Sequence, residues 1–337
     1  MSLFVFNRQV QTAATEVIAQ QINMFNAASG GSLIMSNNST AAGDWMESTM
    51  WAAIGNLVER RDAYGSGNAT VKELQQLLER AVRVDGRVGP IKVTPALMER
   101  IGKATAEAAA TLATQAAAAM VQDYLNTTID ILVAAIGANT KAVYDATDTT
   151  PTTPNLIGMQ TGCGLFGDAY NALNTWVLDG LGYNQLVTGD FLKNANRLFQ
   201  IGNVTIMNDG FGRRIIVTDA PGLRDTTAGT ANALCLTAGA AAVQASGLRM
   251  YDATQLGGEN VNMMLQGEYD FVVGIKGYAW NNTTKANPKN TGDGGAAVAN
   301  KGASPSNAEL KKAANWPQYA SDVKNTAGIL VKFGKKP

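Results

Sequence analysis

Residues Gly162-Cys163-Gly164-Leu165-Phe166-Gly167 match the glycine fingerprint that seats a dinucleotide pyrophosphate at a helix N-terminus. That site needs a strand before the first glycine and an acidic residue about twenty positions later, at the end of a second strand. Here a Thr- and Pro-containing linker precedes the glycines, and Asp190 stands at an expected helix start. Cys163, between two glycines, could have a depressed pKa. The chain contains no histidine, however, which removes the commonest general base and the commonest metal ligand and excludes Ser-His or Cys-His catalysis within it. The carboxylates Asp168, Asp179, Asp190, Asp209 and Asp219 could supply an acid pair or a cation site, but no spacing among them is diagnostic. They fall where turns and helix caps use Asp. No glycine loop ends in Gly-Lys-Ser/Thr, so P-loop chemistry is excluded. No catalytic, cofactor-binding or metal-binding residue is assigned.

Two cysteines, Cys163 and Cys235, lie far apart in sequence and form neither a disulfide framework nor a zinc site. The expectation is buried, reduced thiols. The 27 basic residues balance 27 acidic ones, so no global field marks a nucleic-acid reader. The pairs Arg213-Arg214, Lys311-Lys312 and Lys335-Lys336 are too few for a phosphate-tracking stripe and are expected on solvated faces or in subunit salt bridges. The apolar N-terminus is cut short by Arg8, unlike a secretory signal. The uncharged run from Thr226 to Leu248 is broken by Gly229, Asn232, Gly239, Gln244 and Gly247, and its strand-length groups predict a soluble hairpin rather than a membrane span.

The elements that must position these residues centre on Ala104 to Ile136, which lacks Pro and Gly and predicts one helix of roughly 50 Å. It has no charge between Glu107 and Asp123, so it needs cover on more than one side. Gly137 is expected to cap it in a left-handed conformation. Before it, Val10, Ala14, Val17, Ile18, Ile22 and Phe25 form the apolar face of an amphipathic arm, followed by a flexible connection around Leu33 to Met35. Thr70 and Glu73 suggest a capped helix through Leu74, Leu77, Leu78 and Ala81. An extended ribbon then runs from Val82 to Val93, with a possible turn at Asp85-Gly86. Thr94-Pro95 opens a short helix to Ile101, and residues 145–155 form a linker.

The remainder reads as mixed α/β. Helices are expected over 165–173 and 189–199, strands at 176–178, a hairpin of 203–207 with 213–218, and a pair of 233–236 with 240–243. Two strands meet near Gly267, the second at 269–275. A polar loop spans 281–302, Ser306 with Glu309 caps a helix, and 328–333 closes as a strand.

This order resembles the major capsid proteins of tailed bacteriophages. Arg87-Val88-Gly89-Pro90-Ile91 with Thr94-Pro95, Thr175-Trp176-Val177-Leu178, Arg214-Ile215-Ile216-Val217-Thr218-Asp219 with Pro221, and Gly277-Tyr278-Ala279-Trp280 are similar to segments of that family. So are Asn287-Pro288, Asn315-Trp316 and Lys324-Asn325-Thr326-Ala327-Gly328. The resemblance implies an α+β, Hong Kong phage-type capsid fold. Its parts would be an N-terminal arm (1–43), an extended loop (44–93), a peripheral domain with a spine helix (94–154), an axial domain (155–250) and returning peripheral strands with a C-terminal segment (251–337). It further implies a non-enzymatic shell protein that assembles in the host cytoplasm into hexamers and pentamers of an icosahedral virion around double-stranded DNA. The implied partners are a portal protein, a scaffolding protein and a decoration protein, with weak non-specific DNA contacts, no membrane and no cofactor. Neither Lys72 nor Lys92 matches a cross-linking lysine. An encapsulin-like nanocompartment shell, and a hydrolase or nucleotide-binding enzyme using the Gly162 loop, are the alternatives.

Overall fold

The computed structural model describes residues 3–37, 43–51, 60, 63–68, 71, 73, 76–94, 105–147, 152–188, 196–201, 204–208, 212–226, 229–255, 262–282 and 304–334. In chain order these form α1 (Leu3–Ser29), β1 (Leu33–Ser36), β2 (Trp45–Trp51), β3 (Gln76–Val93), α2 (Thr105–Gly137), β4 (Val143–Asp145), α3 (Leu156–Cys163), β5 (Leu173–Leu178) and α4 (Gly180–Thr188). There follow β6 (Asn196–Ile201), β7 (Val204–Asn208), β8 (Arg214–Val217), β9 (Arg224–Asp225), β10 (Thr230–Thr237), β11 (Ala241–Ala245), β12 (Arg249–Gln255), β13 (Asn262–Ile275), α5 (Asn307–Leu310) and β14 (Gly328–Gly334).

Alanine loses no side-chain entropy in a helix, and the alanine-rich segment forms the 33-residue spine α2. Ala109, Ala113, Ala116, Ala117 and Met120 are buried along one stripe, and from Thr127 to Leu132 every residue is buried. The amphipathic arm lies on its own subunit: α1 buries Val10, Ala14, Ile18, Ile22 and Phe25 in the same core as the spine. Gly137 is the last residue of α2 and is not left-handed. The chain leaves the helix through Asn139, whose N–H donates to Ile136 O and whose side chain accepts from Lys141 N.

One sheet has the order β1-β11-β13-β3-β2, with β12 also on β13. Leu33 to Met35 belong to a strand rather than a flexible connection: β1 runs parallel to β11, and the Asn26 side chain clamps both backbone groups of Met35. Leu77, Leu78 and Ala81 are strand rather than helix, because an 18-residue β3 continues straight through Asp85-Gly86 along β13. Gly86 sits where a Cβ would lie 2.2 Å from the Tyr269 ring, so it marks a close approach and not a turn. Likewise β13 is one 14-residue strand with a bulge between Leu265 and Gly267, not two strands meeting there.

The second sheet has the order β4-β14-β10-β5-β8-β7-β6, with β9 also on β10. Its side chains alternate between two cores. Trp176, Ile215, Cys235, Ile329, Val331 and Phe333 face the layer of α3 and the 3-10 segment Gly164–Ala172. Val177, Ile216, Leu234, Leu236 and Leu330 join the core of α1 and the spine. Burial on both faces explains their continuous apolar runs. The hairpin of β7 with β8 matches expectation. The pairing of 233–236 with 240–243 does not form, because β10 and β11 belong to different sheets and the chain crosses between them at Ala238-Gly239. Residues 196–199 are strand β6 instead of helix, paired with β7. Ser306 caps α5 as expected, accepting from Glu309 N at 3.3 Å, although α5 is a single turn. The helix at 95–101 and most of the 281–302 loop lie outside the described residues, as does Thr70.

Polar contacts tie the spine to later parts of the chain. Asp130 accepts from Gly222 N at 2.5 Å and pairs with Lys311 Nζ at 2.8 Å. Asp123 accepts from Tyr269 Oη at 2.9 Å beside the Tyr124, Tyr269 and Phe271 ring cluster. Burial raises the Asp123 carboxyl above the usual range, partly opposed by the Tyr269 hydrogen bond. A carboxyl raised in the folded state holds its proton more tightly than in the unfolded chain. This group therefore costs no stability below the ordinary carboxylate pKa, and stability falls as pH rises through the raised value. Asp123→Asn keeps an acceptor for Tyr269 and is expected to flatten that decline and raise the neutral-pH urea midpoint. An unchanged pH profile would remove Asp123 as its source.

Candidate functional site: the glycine loop and the projecting ribbon

The glycine fingerprint crosses a helix end of the wrong polarity for phosphate. Gly162 and Cys163 are the last residues of α3, and Gly164 N–H donates back to Gln160 O. The preceding element is a helix, so no strand and no free turn of N–H groups faces a ligand. The glycines instead let α3 lie on β14. A Cβ on Gly162 would stand 2.5 Å from Val331 Cγ2, and one on Gly158 2.7 Å from Phe333 Cε1. Gly167 supplies the kink in the following 3-10 segment with φ 53°. Gly162→Val is therefore expected to cost about 1–3 kcal/mol by overpacking, partly restored by adding Val331→Ala, with denaturant melts as the readout. A neutral Gly162→Val would contradict this packing role.

The carboxylates are dispersed. Asp168 forms an exposed pair with Lys324 at 2.5 Å, which holds its carboxyl below the usual range. Asp179 accepts from Gly182 N at 3.0 Å and pairs with Arg224. Asp219 accepts from Gly180 N at 3.1 Å. Asp190 and Asp209 lie outside the described residues. Among the described residues no cluster could hold a metal ion, and no helix is long and apolar enough to cross a membrane. The basic pairs work within the chain. Arg214 donates to Ala27 O and Ala28 O at the end of α1, Lys311 reaches Asp130, and Lys312 pairs with Glu309 at 2.6 Å. Lys335-Lys336 lie outside the described residues.

Among the described residues, β2 and the first part of β3 form a two-stranded ribbon that extends beyond β13. β2 pairs antiparallel with β3 from Trp45↔Val82 out to Trp51↔Gln76, about 20 Å of hairpin. Its root is fixed. Arg80 exchanges hydrogen bonds with the Trp280 backbone, N–H to Arg80 O at 2.9 Å and Nη1 to Trp280 O at 3.1 Å, and pairs with Glu47 at 2.7 Å. Its outer part exposes Trp51 and Leu78, and beyond it Tyr64 and Val71 are exposed as well. A lone two-stranded ribbon is marginal in water, so one bearing exposed Trp and Leu gains most by lying on another surface. The extended ribbon expected from Val82 in fact begins at Gln76, and the paired Leu77-Leu78 and Ala81-Val82 carry no strand alternation that would have shown it.

A family model described as Gp13-like, major capsid protein 13-like, matches residues 2–330. No curated protein matches the chain. Among solved structures, the chain is similar to one of Mycobacterium phage Adephagia at TM-score 0.47 and 14% identity, covering 72% of this chain and 83% of that one. It is similar to the cyanophage Pam1 capsid asymmetric unit at TM-score 0.48 and 11% identity, covering 94% and 93%. The capsid of Ralstonia phage GP4 matches at TM-score 0.42 and 9% identity, covering 74% and 84%. Since the family match takes in arm, ribbon, spine and nearly all of both sheets, the chain belongs to the Gp13-like family of major capsid proteins.

Proposed function

We propose that this chain is the non-enzymatic shell subunit of an icosahedral phage head, assembling in the host cytoplasm into hexamers and pentamers that enclose double-stranded DNA. The observation that carries the reading is the ribbon of β2 and β3, which exposes Trp51 and Leu78 and has its fixed root at Arg80 and Trp280. In this reading residues 44–93 are the extended loop that lies over a neighbour. Residues 94–154 and 251–337 make a peripheral plate, and residues 155–250 make the axial domain at the capsomer centre. The arm, 1–43, braces its own spine. Zero net charge suits close packing of many copies, which a large like charge would oppose. DNA contacts in this reading are weak and non-specific, since Arg214 and Lys311 are engaged within the chain. A portal, a scaffold supplied separately and a decoration protein are the remaining partners proposed.

Negative-stain electron microscopy with sedimentation of the expressed protein tests this. Closed uniform shells, or free hexamers and pentamers, are expected. A persistent monomer across salt and concentration, also in the presence of its scaffold, would overturn it.

A further inference from the structure

Cys163 ends α3 and Cys235 lies within β10, 72 residues away, yet their Sγ atoms are 4.0 Å apart. Both side chains are buried, at 2% and 0% exposure. Arg213 donates from Nη1 to Cys163 Sγ at 3.4 Å and to Gln160 Oε1 at 3.1 Å. Arg213 and Gln160, with Leu156, Tyr170, Leu173 and Asn174, line an open cleft of about 520 Å³. A cation on the cleft wall thus touches a sulfur that is otherwise enclosed. The Cys235 thiol beside it and the Arg213 guanidinium both lower the Cys163 thiol below the usual range, against the opposing effect of burial.

We propose that Cys163 and Cys235 are a two-electron thiol–disulfide switch, with Cys163 as the attacking sulfur and a water-sized peroxide, entering by the Arg213 cleft, as the oxidant. The Cys163 thiolate attacks one peroxide oxygen, forming an S–O bond and breaking the O–O bond. The departing hydroxide takes a proton and leaves as water. Cys235 sulfur then attacks Cys163 sulfur, the S–S bond forms as the S–O bond breaks, and the hydroxyl leaves as a second water with the Cys235 proton. Together the two thiols lose two electrons and two protons, and the peroxide becomes two waters. Rotation about the two Cα–Cβ bonds has to bring the sulfurs from van der Waals contact to bonding distance, about 2.05 Å. The product ties α3 to a central strand, reduced inside a host cytosol and closed in an oxidising medium.

The test treats purified wild-type protein with hydrogen peroxide, alkylates it under denaturing conditions, and measures intact mass and linked peptides. Both thiols should disappear together, with loss of the mass of two hydrogens, a Cys163–Cys235 cross-linked peptide, and recovery on adding dithiothreitol. Cys235→Ala should stop at a Cys163 sulfenic acid trapped by dimedone, and Cys163→Ala should leave Cys235 alkylatable at the same exposure. Arg213→Met, folded by circular dichroism, should slow closure on the order of tenfold. Independent over-oxidation without a linked peptide, disulfides between chains, or thiols that react only after unfolding would each overturn the switch.

Discussion

Replacing residues 49–78 with Asn-Gly yields a folded, soluble subunit that forms no closed shells. The cut falls just outside the Ser48↔Glu79 pair, and an Asn-Gly turn joins neighbouring antiparallel strands with the correct twist. The root survives, since the Glu47–Arg80 pair and the contact of Arg80 with Trp280 remain. So do Val82 and Val84, which are buried in the core, whereas a deletion of the whole 42–93 segment would remove them and confound folding with assembly. Subunit stability should stay within about 1 kcal/mol of wild type, because the described residues among those lost are almost all exposed. The loss is expected instead in association, where the role proposed for the ribbon is to bury this area on a neighbour. Circular dichroism, urea melts and electron microscopy read the two properties separately, and efficient shell formation by the shortened chain would remove the ribbon from the assembly mechanism.

Trp316→Ala should lower subunit stability by about 3–5 kcal/mol. The indole is 1% exposed, packs edge-on against Trp280 with ring centroids 5.2 Å apart, and donates from Nε1 to Leu310 O at 2.9 Å. Truncation leaves a cavity and a carbonyl without that donor. The same change loosens the backing of Trp280, whose backbone anchors Arg80 at the ribbon root. Faster hydrogen exchange at the Trp280 amide should therefore accompany the lower urea midpoint. Trp316→Phe, which keeps ring packing but not the N–H, should cost distinctly less. A loss below about 1 kcal/mol on truncation would show that the C-terminal segment does not share the core.

What could be seen in the residues was set by how local the cause was. The spine follows from alanine content, the arm from a 3.6-residue apolar stripe, and the Ser306 cap from a side chain bonding three residues on. By contrast, Leu77 to Ala81 suit a helix as well as a strand, and pairing with β2, contributed from elsewhere in the chain, decides for strand. Asp85-Gly86 has turn chemistry, yet its glycine makes room for Tyr269. Residues 233–243 carry two strands in both the expectation and the structure, but their assignment to separate sheets depends on partners such as Leu330 and Val273. The site shows the same division. Absence of histidine excluded whole classes of chemistry at once, whereas the reason for Gly162 is Val331. The contact of Cys163 with Cys235 had no local trace at all.

The position of β14 in the second sheet bears on when a subunit becomes able to polymerise. It lies between β4 and β10, and its residues fill both cores, Ile329, Val331 and Phe333 on one side and Leu330 on the other. Until residues 328–334 leave the ribosome, the sheet lacks the strand between β4 and β10, and α3 lacks the Val331 and Phe333 side chains beneath Gly162 and Gly158. Such late, long-range pairing is slow to form and leaves nascent chains immature. A chain lacking residues 328–334 is therefore expected to close neither core, whatever the rest of its sequence.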